Sequence, residues 1–186
     1  IAVNERFEMI PEALAEAIDE DVDAGYLPIC VIPTIGTTSS SSVDPVDAIA
    51  DICEKHSIWL HVDSAYAGSA AILPEKREYF AGWERAASIV TNPHKWMFTP
   101  FDLSVLYCRD LGIMKQAFSL VPEYLKTNDE STVKNGMDYG IQLGRRFRAL
   151  KLWFVMRYFG SEGLIDRIRE DCRLAELFAS WIEDSP

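Results

Sequence analysis

TNPHKWMFTP, residues 91–100, is the stretch that decides how this chain folds. It lies between two apolar runs, 87–90 and 103–108, which we predict to be neighbouring strands. Because Lys95 is fixed between these strands, we expect it to be buried, which would lower the pKa of its amine and make the neutral amine a nucleophile toward carbonyl groups. The alternative is a solvated ammonium, which is the common state of lysine.

The second informative feature of the sequence is an acidic residue at the end of a predicted strand. Asp63 lies 32 residues before Lys95 and comes directly after the apolar run 58–62, which we predict to be a buried strand. Ligands of open α/β sheets bind beyond the carboxyl ends of the strands, so Asp63 is expected beside a ligand. A lysine for the aldehyde and an acid for the ring nitrogen are the two groups that pyridoxal phosphate requires of a protein.

Hydrophobic periodicity predicts helices and strands in alternation. Helices are expected at 11–24, 44–56, 146–158 and 161–182, and strands at 29–32, 58–62, 87–90 and 101–108. Asp44 is expected to cap its helix, and the unalternating run 29–32 is typical of a strand covered on both faces. The last two helices are expected to place five side chains in the core: Phe147, Leu150, Trp153, Phe154 and Trp181. The fold class is predicted to be α/β, with three layers around a mostly parallel sheet.

The motifs together resemble those of the pyridoxal-phosphate-dependent (group II) decarboxylases, the family that includes aromatic L-amino acid decarboxylase. The resemblance rests on GTT at 36–38, HVDSAYAG at 61–68, NPHKW at 92–96 and LGRRFR at 143–148. It covers essentially the whole chain. It implies the type I, aspartate-aminotransferase-like fold, with residues 1–186 as part of the large cofactor domain and with the N-terminal part and the small C-terminal domain outside this segment.

The resemblance implies contacts with pyridoxal phosphate at six positions: Thr38, Asp63, Ala65, Asn92, His94 and Lys95. Lys95 would hold the cofactor aldehyde as a Schiff base, and Asp63 would keep the ring nitrogen protonated. Ala65 is small enough for the flat ring to lie on it, and Thr38 would lie beside the ring. Asn92 and His94 correspond to ligands on the phosphate side, and His94 is also a candidate proton relay.

A long polar segment, 119–135, lacks periodicity and is expected to be a loop that closes over the site. Its Tyr124 matches the family's loop tyrosine, which protonates the substrate carbon after decarboxylation, whereas related aldehyde synthases carry a non-protonating residue there.

Two residues beside the lysine bear on the substrate. The histidine at position 94 resembles the aromatic branch of the family and not its histidine-selective branch, and Trp96 departs from the pattern that comes after the lysine in glutamate decarboxylases. The expected reaction is decarboxylation of an aromatic L-amino acid to its amine and CO2. Tyrosine, tryptophan and dihydroxyphenylalanine remain open as substrates, and an aldehyde synthase or another type I enzyme remains an alternative.

Composition limits the partners. The net charge of −11 disfavours nucleic acid and anionic lipid, and no apolar segment is long enough to span a membrane. The four cysteines, Cys30, Cys53, Cys108 and Cys172, form no Cys-x-x-Cys pair and are expected to be buried, reduced thiols of a cytoplasmic protein.

Three further expectations concern assembly and rival functions. The resemblance implies a homodimer with its active site at the subunit interface, and this segment alone is expected to be inactive. A metal hydrolase that uses His61, Asp63 and His94 would leave Lys95 without a role, so no metal is expected. A non-catalytic interaction module is the remaining alternative.

Overall fold

The computed structural model of the protein describes residues 1–119 and 135–185. Four strands form one sheet in the order β1-β2-β3-β4: β1 (Cys30–Val31), β2 (Trp59–Asp63), β3 (Ser88–Thr91) and β4 (Val105–Cys108). The pairs β1-β2 and β2-β3 are parallel. The mostly parallel sheet and the strands near 58–62 and 87–90 are therefore confirmed, whereas β1 and β4 are half as long as the predicted strands 29–32 and 101–108.

The described residues form helices close to the four predicted positions and two further helices, at 93–96 and 111–118, that were not predicted. They are α1 (Pro11–Asp23), α2 (Val46–His56), α3 (Pro93–Trp96), α4 (Leu111–Phe118) and α5 (Ala149–Glu183). Short 3-10 helices cover Ala67–Ile72, Pro74–Phe80, Trp83–Arg85 and Gly136–Tyr139. α5 is interrupted at Gly160, whose φ of 66° is left-handed, so its two segments match the two predicted helices. Within the described ranges, no helix has the length and apolar character needed to cross a bilayer.

The described residues divide into two compact units. The larger comprises Ile1–Tyr107 and the chain from Arg148 onward, and it contains most of the sheet. The smaller lies within Cys108–Phe147. In the smaller unit α4, which hydrophobic periodicity did not predict, begins after Asp110, whose carboxylate accepts a 2.7 Å hydrogen bond from the Gly112 N–H.

The core of the larger unit forms where α2 packs against β2. Val46, Ile49 and Cys53 are buried on one face of α2, as their spacing predicts. Val62 of β2 and Ile168 of α5 join the same cluster and are fully buried. The core therefore fixes β2, the strand that ends at Asp63.

The prediction that residues 29–32 are covered on both faces is wrong. β1 has only two paired residues and lies at the end of the sheet, with Val31 buried and Cys30 exposed. Ile29 is 74% exposed and Ile32 is also exposed. Residues 29–32 are apolar, but in the described chain no strand pairs with the outer edge of β1.

The prediction that the aromatic residues of α5 lie in the core is also wrong. Leu150, Trp153, Phe154 and Trp181 are exposed, as is the preceding Phe147. The segment after Gly160 packs into the core instead, through Leu164 and Ile168. Helical spacing identifies an apolar face but does not show which element covers it.

The prediction that Asp44 caps α2 is wrong as well. The helix begins one residue later than expected, after Pro45, and has no side-chain cap. The buried Asp44 carboxylate instead accepts hydrogen bonds from the backbone N–H of Met9 and of Thr34, each at 2.7 Å. Asp44 thus joins the N-terminal segment to the loop that comes after β1.

Replacing Asp44 with alanine should lower the free energy of unfolding by about 3 kcal/mol, because two charge-assisted hydrogen bonds are lost and two N–H groups lose their acceptor. Asp44→Asn keeps one acceptor oxygen and should cost about half as much. Urea unfolding measures both values. Equal losses in the two variants would show that the bidentate contact does not stabilise the fold.

Candidate functional site

The ends of three parallel strands meet at one edge of the sheet. In β2 and β3, Asp63 pairs with Val90, and an isolated bridge pairs Thr34 with Asp63 on the other side. The Ile35 N–H donates to the Asp63 carbonyl at 2.8 Å. The segments after β1, β2 and β3 therefore begin side by side, with Asp63 in the middle.

The Asp63 carboxylate is oriented by the next residues of the chain. One carboxylate oxygen, Oδ1, accepts a 2.9 Å hydrogen bond from the Ala65 N–H. Asp63 is half-buried, and no cationic side chain of the described residues forms an ion pair with it. Its second oxygen can therefore accept a hydrogen bond from a ligand.

Lys95 lies in the short helix α3, directly after β3. Its backbone N–H donates to the Asn92 carbonyl at 2.8 Å, which closes the turn. The side chain is exposed, so the predicted burial of Lys95 is wrong for the described chain. Its amine forms no ion pair with the residues described, and it is accessible to a ligand.

Asn92 and His94 support the turn through contacts with two other segments. The Asn92 N–H donates to the Ala65 carbonyl at 3.0 Å, and its Oδ1 accepts from the Ser104 hydroxyl at 2.5 Å. The Leu103 N–H donates to Nδ1 of His94 at 2.9 Å, and the carbonyl of Leu103 lies 2.5 Å from the same nitrogen. Nδ1 is therefore engaged with the backbone, which leaves Nε2 as the ring nitrogen for a ligand.

Thr38 belongs to the loop after β1. This loop turns at Gly36, where φ is 82° and an added Cβ would lie 2.6 Å from Cβ of Ala67. Thr37 holds the turn, since its hydroxyl oxygen accepts from the Ser42 N–H at 3.0 Å and lies 2.7 Å from the Ser40 hydroxyl. Thr38 itself is exposed and forms no hydrogen bond with the described residues. The remaining predicted site residue, Tyr124, lies outside the described residues.

Two aromatic residues that were not predicted as site residues join the segments after β2 and β3. Tyr66 and Trp96 stack with their ring centroids 5.4 Å apart and their planes at 16°. Both rings line a cavity of about 600 Å³ whose lining does not include Asp63 or Lys95. Each residue comes directly after a predicted site residue, Ala65 or Lys95, and this adjacency is the signal that could have identified them.

His61 is engaged in contacts between β2 and β3. Its Nδ1 lies 2.7 Å from the hydroxyl of Ser88, which also accepts from the Trp59 indole at 2.9 Å. Burial lowers the pKa of the His61 imidazole, and the nearby Asp63 carboxylate only partly opposes this shift. Within residues 1–119 and 135–185, no group of three or more His, Cys, Asp or Glu side chains is arranged to hold a metal ion.

The cysteines are free thiols in different environments. Cys53 is buried, and burial raises the pKa of its thiol to about 11. Cys30 is exposed, and Cys108 and Cys172 are half-buried, so the predicted burial holds fully for Cys53 alone among these residues.

Comparisons with known proteins agree with the resemblance. Tyrosine decarboxylase 2 of Narcissus pseudonarcissus is 47% identical over 178 residues, which cover 95% of this chain and 36% of that protein. Phenylacetaldehyde synthase of Arabidopsis thaliana is 45% identical over 178 residues, with the same coverage of 95% and 36%. The crystal structure of Oryza sativa TDC with PLP and tryptamine superposes with a TM-score of 0.92 at 44% identity, over 96% of this chain and 37% of that chain.

These matches confirm the predicted type I fold class, and this chain spans 36% of the length of the two curated relatives. The sequence model of one family, described as the pyridoxal-dependent decarboxylase conserved domain, matches residues 1–186. The chain therefore belongs to the pyridoxal-dependent decarboxylase family.

Proposed function

We propose that this chain provides the cofactor lysine and the cofactor acid of an enzyme that decarboxylates an aromatic L-amino acid to its amine and CO2. The observation that carries the proposal is the parallel pairing of β2 with β3, after which the chain presents Asp63 and Lys95 from neighbouring strand ends. Membership of the family supports the reaction class. The aromatic substrate is supported by the tyrosine decarboxylase at 47% identity.

The described residues fit pyridoxal phosphate by the chemistry of their donors. The Lys95 amine is accessible, and the second oxygen of Asp63 is available to a protonated nitrogen. When bound, the cofactor withdraws electrons from Cα of the substrate, so that the bond to the carboxyl group can break. Among the described residues, neither Lys95 nor Asp63 forms an ion pair that would have to be broken before the cofactor binds.

The proposed residues divide the tasks of holding the cofactor. Lys95 would attach covalently to the cofactor aldehyde through its amine, and Asp63 would accept a hydrogen bond from the ring nitrogen and keep it protonated. Ala65 leaves room beneath the ring because its side chain is a single methyl group. We assign the phosphate side to Asn92 and His94 and the ring edge to the Thr38 hydroxyl, and His94 can also move a proton through Nε2.

Tyr124 is the proposed proton donor that completes the reaction. Its phenol would deliver a proton to Cα of the substrate after CO2 has left, which gives the amine.

The second candidate function is an aldehyde synthase, and the 45% identity to phenylacetaldehyde synthase favours it. The tyrosine at position 124 favours the decarboxylase, because a residue without an acidic proton would leave Cα open to oxidation by O2.

The proposal extends to the whole protein. We assign residues 1–186 to part of the large domain of a longer, cytoplasmic homodimeric enzyme whose active site lies at the subunit interface. The matched relatives are much longer than this chain, which supports the assignment to part of a domain. The exposed Trp153 and Phe154 on α5 support a covering surface from outside the described chain.

The first test is the covalent link. The full-length protein supplied with pyridoxal phosphate should show a visible absorbance band that borohydride removes, and mass mapping should place the pyridoxyl group on the peptide that contains Lys95. Lys95→Ala should abolish the band because no other amine occupies this position. Lys55→Ala, at an exposed site on α2, is the matched control and should keep it. A band that persists in Lys95→Ala would contradict the assignment.

The second test concerns Asp63. Asp63→Asn keeps an oxygen for the Ala65 N–H, so the fold and the covalent link should remain, but the uncharged amide cannot keep the ring nitrogen protonated. Release of CO2 from the substrate should fall roughly 10²- to 10³-fold, the cost of removing one electrostatic stabiliser. An unchanged rate in a cofactor-loaded Asp63→Asn protein would remove Asp63 from the mechanism.

The third test separates the two candidate functions by their products. Full-length protein given tyrosine, tryptophan or dihydroxyphenylalanine should release amine and CO2, and Tyr124→Phe should shift the products toward aldehyde, ammonia and hydrogen peroxide with consumption of O2. Tyr158→Phe, at an exposed tyrosine of α5, is the control and should not change the product ratio. Peroxide as the main product of the unmodified protein would favour the aldehyde synthase.

A further inference from the structure

Trp96, the residue directly after Lys95, is tied to a distant helix. Its indole N–H donates a 2.8 Å hydrogen bond to Oδ2 of Asp171, 75 residues further along the chain. Among the described residues, this is the one hydrogen bond of the Asp171 side chain, and Asp171 forms no ion pair with them. The half-buried Asp171 carboxylate thus accepts a hydrogen bond from one uncharged donor, the indole of the residue next to the proposed cofactor lysine.

The position of Asp171 is itself fixed. Leu164 and Ile168, on the same segment of α5, are buried in the core. Arg169 also forms an ion pair with Glu75 in the 3-10 helix Pro74–Phe80, at 2.6 Å. Asp171 therefore holds Trp96 from a helix that is anchored in the core and at its surface.

The anchored tryptophan restrains both proposed cofactor groups. Trp96 and Lys95 are successive residues of the short helix α3, so holding the indole restrains the backbone from which the lysine side chain leaves. The stacking of Trp96 on Tyr66 extends the restraint to the segment that contains Asp63 and Ala65. Lys95 needs such a support because its own side chain is exposed and has no ion-pair partner among the described residues.

We propose that Asp171 is a positioning residue, which directs Lys95 toward the cofactor by holding the indole of Trp96. The inference rests on the proposed function, because it takes Lys95 as the attachment point. Fixing the lysine before the cofactor arrives removes an entropic cost of binding, so loss of the hydrogen bond should weaken cofactor binding without unfolding the protein.

The test measures the dissociation constant of pyridoxal phosphate for the full-length protein, from the visible band that returns when the cofactor is added to the apoprotein. Asp171→Leu should raise this constant about tenfold, in keeping with the loss of one hydrogen bond to a charged group. Asp171→Asn retains an acceptor oxygen and should stay within about threefold of the unmodified protein. Glu170→Leu, at the exposed neighbouring position, is the control for loss of charge from the helix and should bind normally.

Trp96→Phe provides an independent variant, because it removes the N–H and keeps a ring to stack on Tyr66. It should raise the dissociation constant as much as Asp171→Leu, and the double variant should bind no more weakly than either single variant. Additive losses, equal losses in Asp171→Asn and Asp171→Leu, or unchanged binding in Asp171→Leu would overturn the inference. If the unmodified protein forms no Lys95-dependent band, the proposed function fails instead, so the two failures are distinguishable.

Discussion

Parallel pairing of β2 with β3 is the constraint on which the rest of the structure depends. In a parallel pair both strands end at the same edge, so the segment after Asp63 must begin beside the segment after Thr91. The local contacts then build on this register: the Asn92 N–H donates to the Ala65 carbonyl, and Ser64 donates through its hydroxyl to the Val90 carbonyl. A shift by one residue would turn Val62 out of the core and break these contacts together.

The same register explains why small residues come after Asp63. A Cβ on Gly68 would lie 2.5 Å from the hydroxyl oxygen of Thr91, and one on Gly36 would meet Ala67. At these two glycines the strand-end segments therefore approach one another too closely for a side chain to fit without a shift. Close approach leaves polar backbone groups paired between segments, and it brings the segments that contain positions 38, 63 and 95 to one edge of the sheet although they are distant in sequence.

Much of this arrangement could be predicted from the sequence, because it depends on local patterns. The face of α2 that carries Ile49 and Cys53, the strand before Asp63 and the strand before Asn92 are all set by spacing within a few residues. The errors concern properties that depend on distant partners. The exposure of Lys95 and of Trp153, the two backbone donors of Asp44 and the bond between Trp96 and Asp171 are set by which element lies opposite, and periodicity carries no information about that.

The interruption of α5 at Gly160 has a mechanical consequence. The segment before it contacts the chain just beyond α3, through Arg148 with Asp102 at 3.1 Å and Phe159 with Phe98 at 6.1 Å between ring centroids. The segment after it carries Asp171. A continuous helix would act as a rigid rod and transmit any displacement of the exposed aromatic half directly to the indole of Trp96. Rotation about the backbone of Gly160 can absorb such a displacement instead, so Trp96 is supported independently of Phe98 and Asp102.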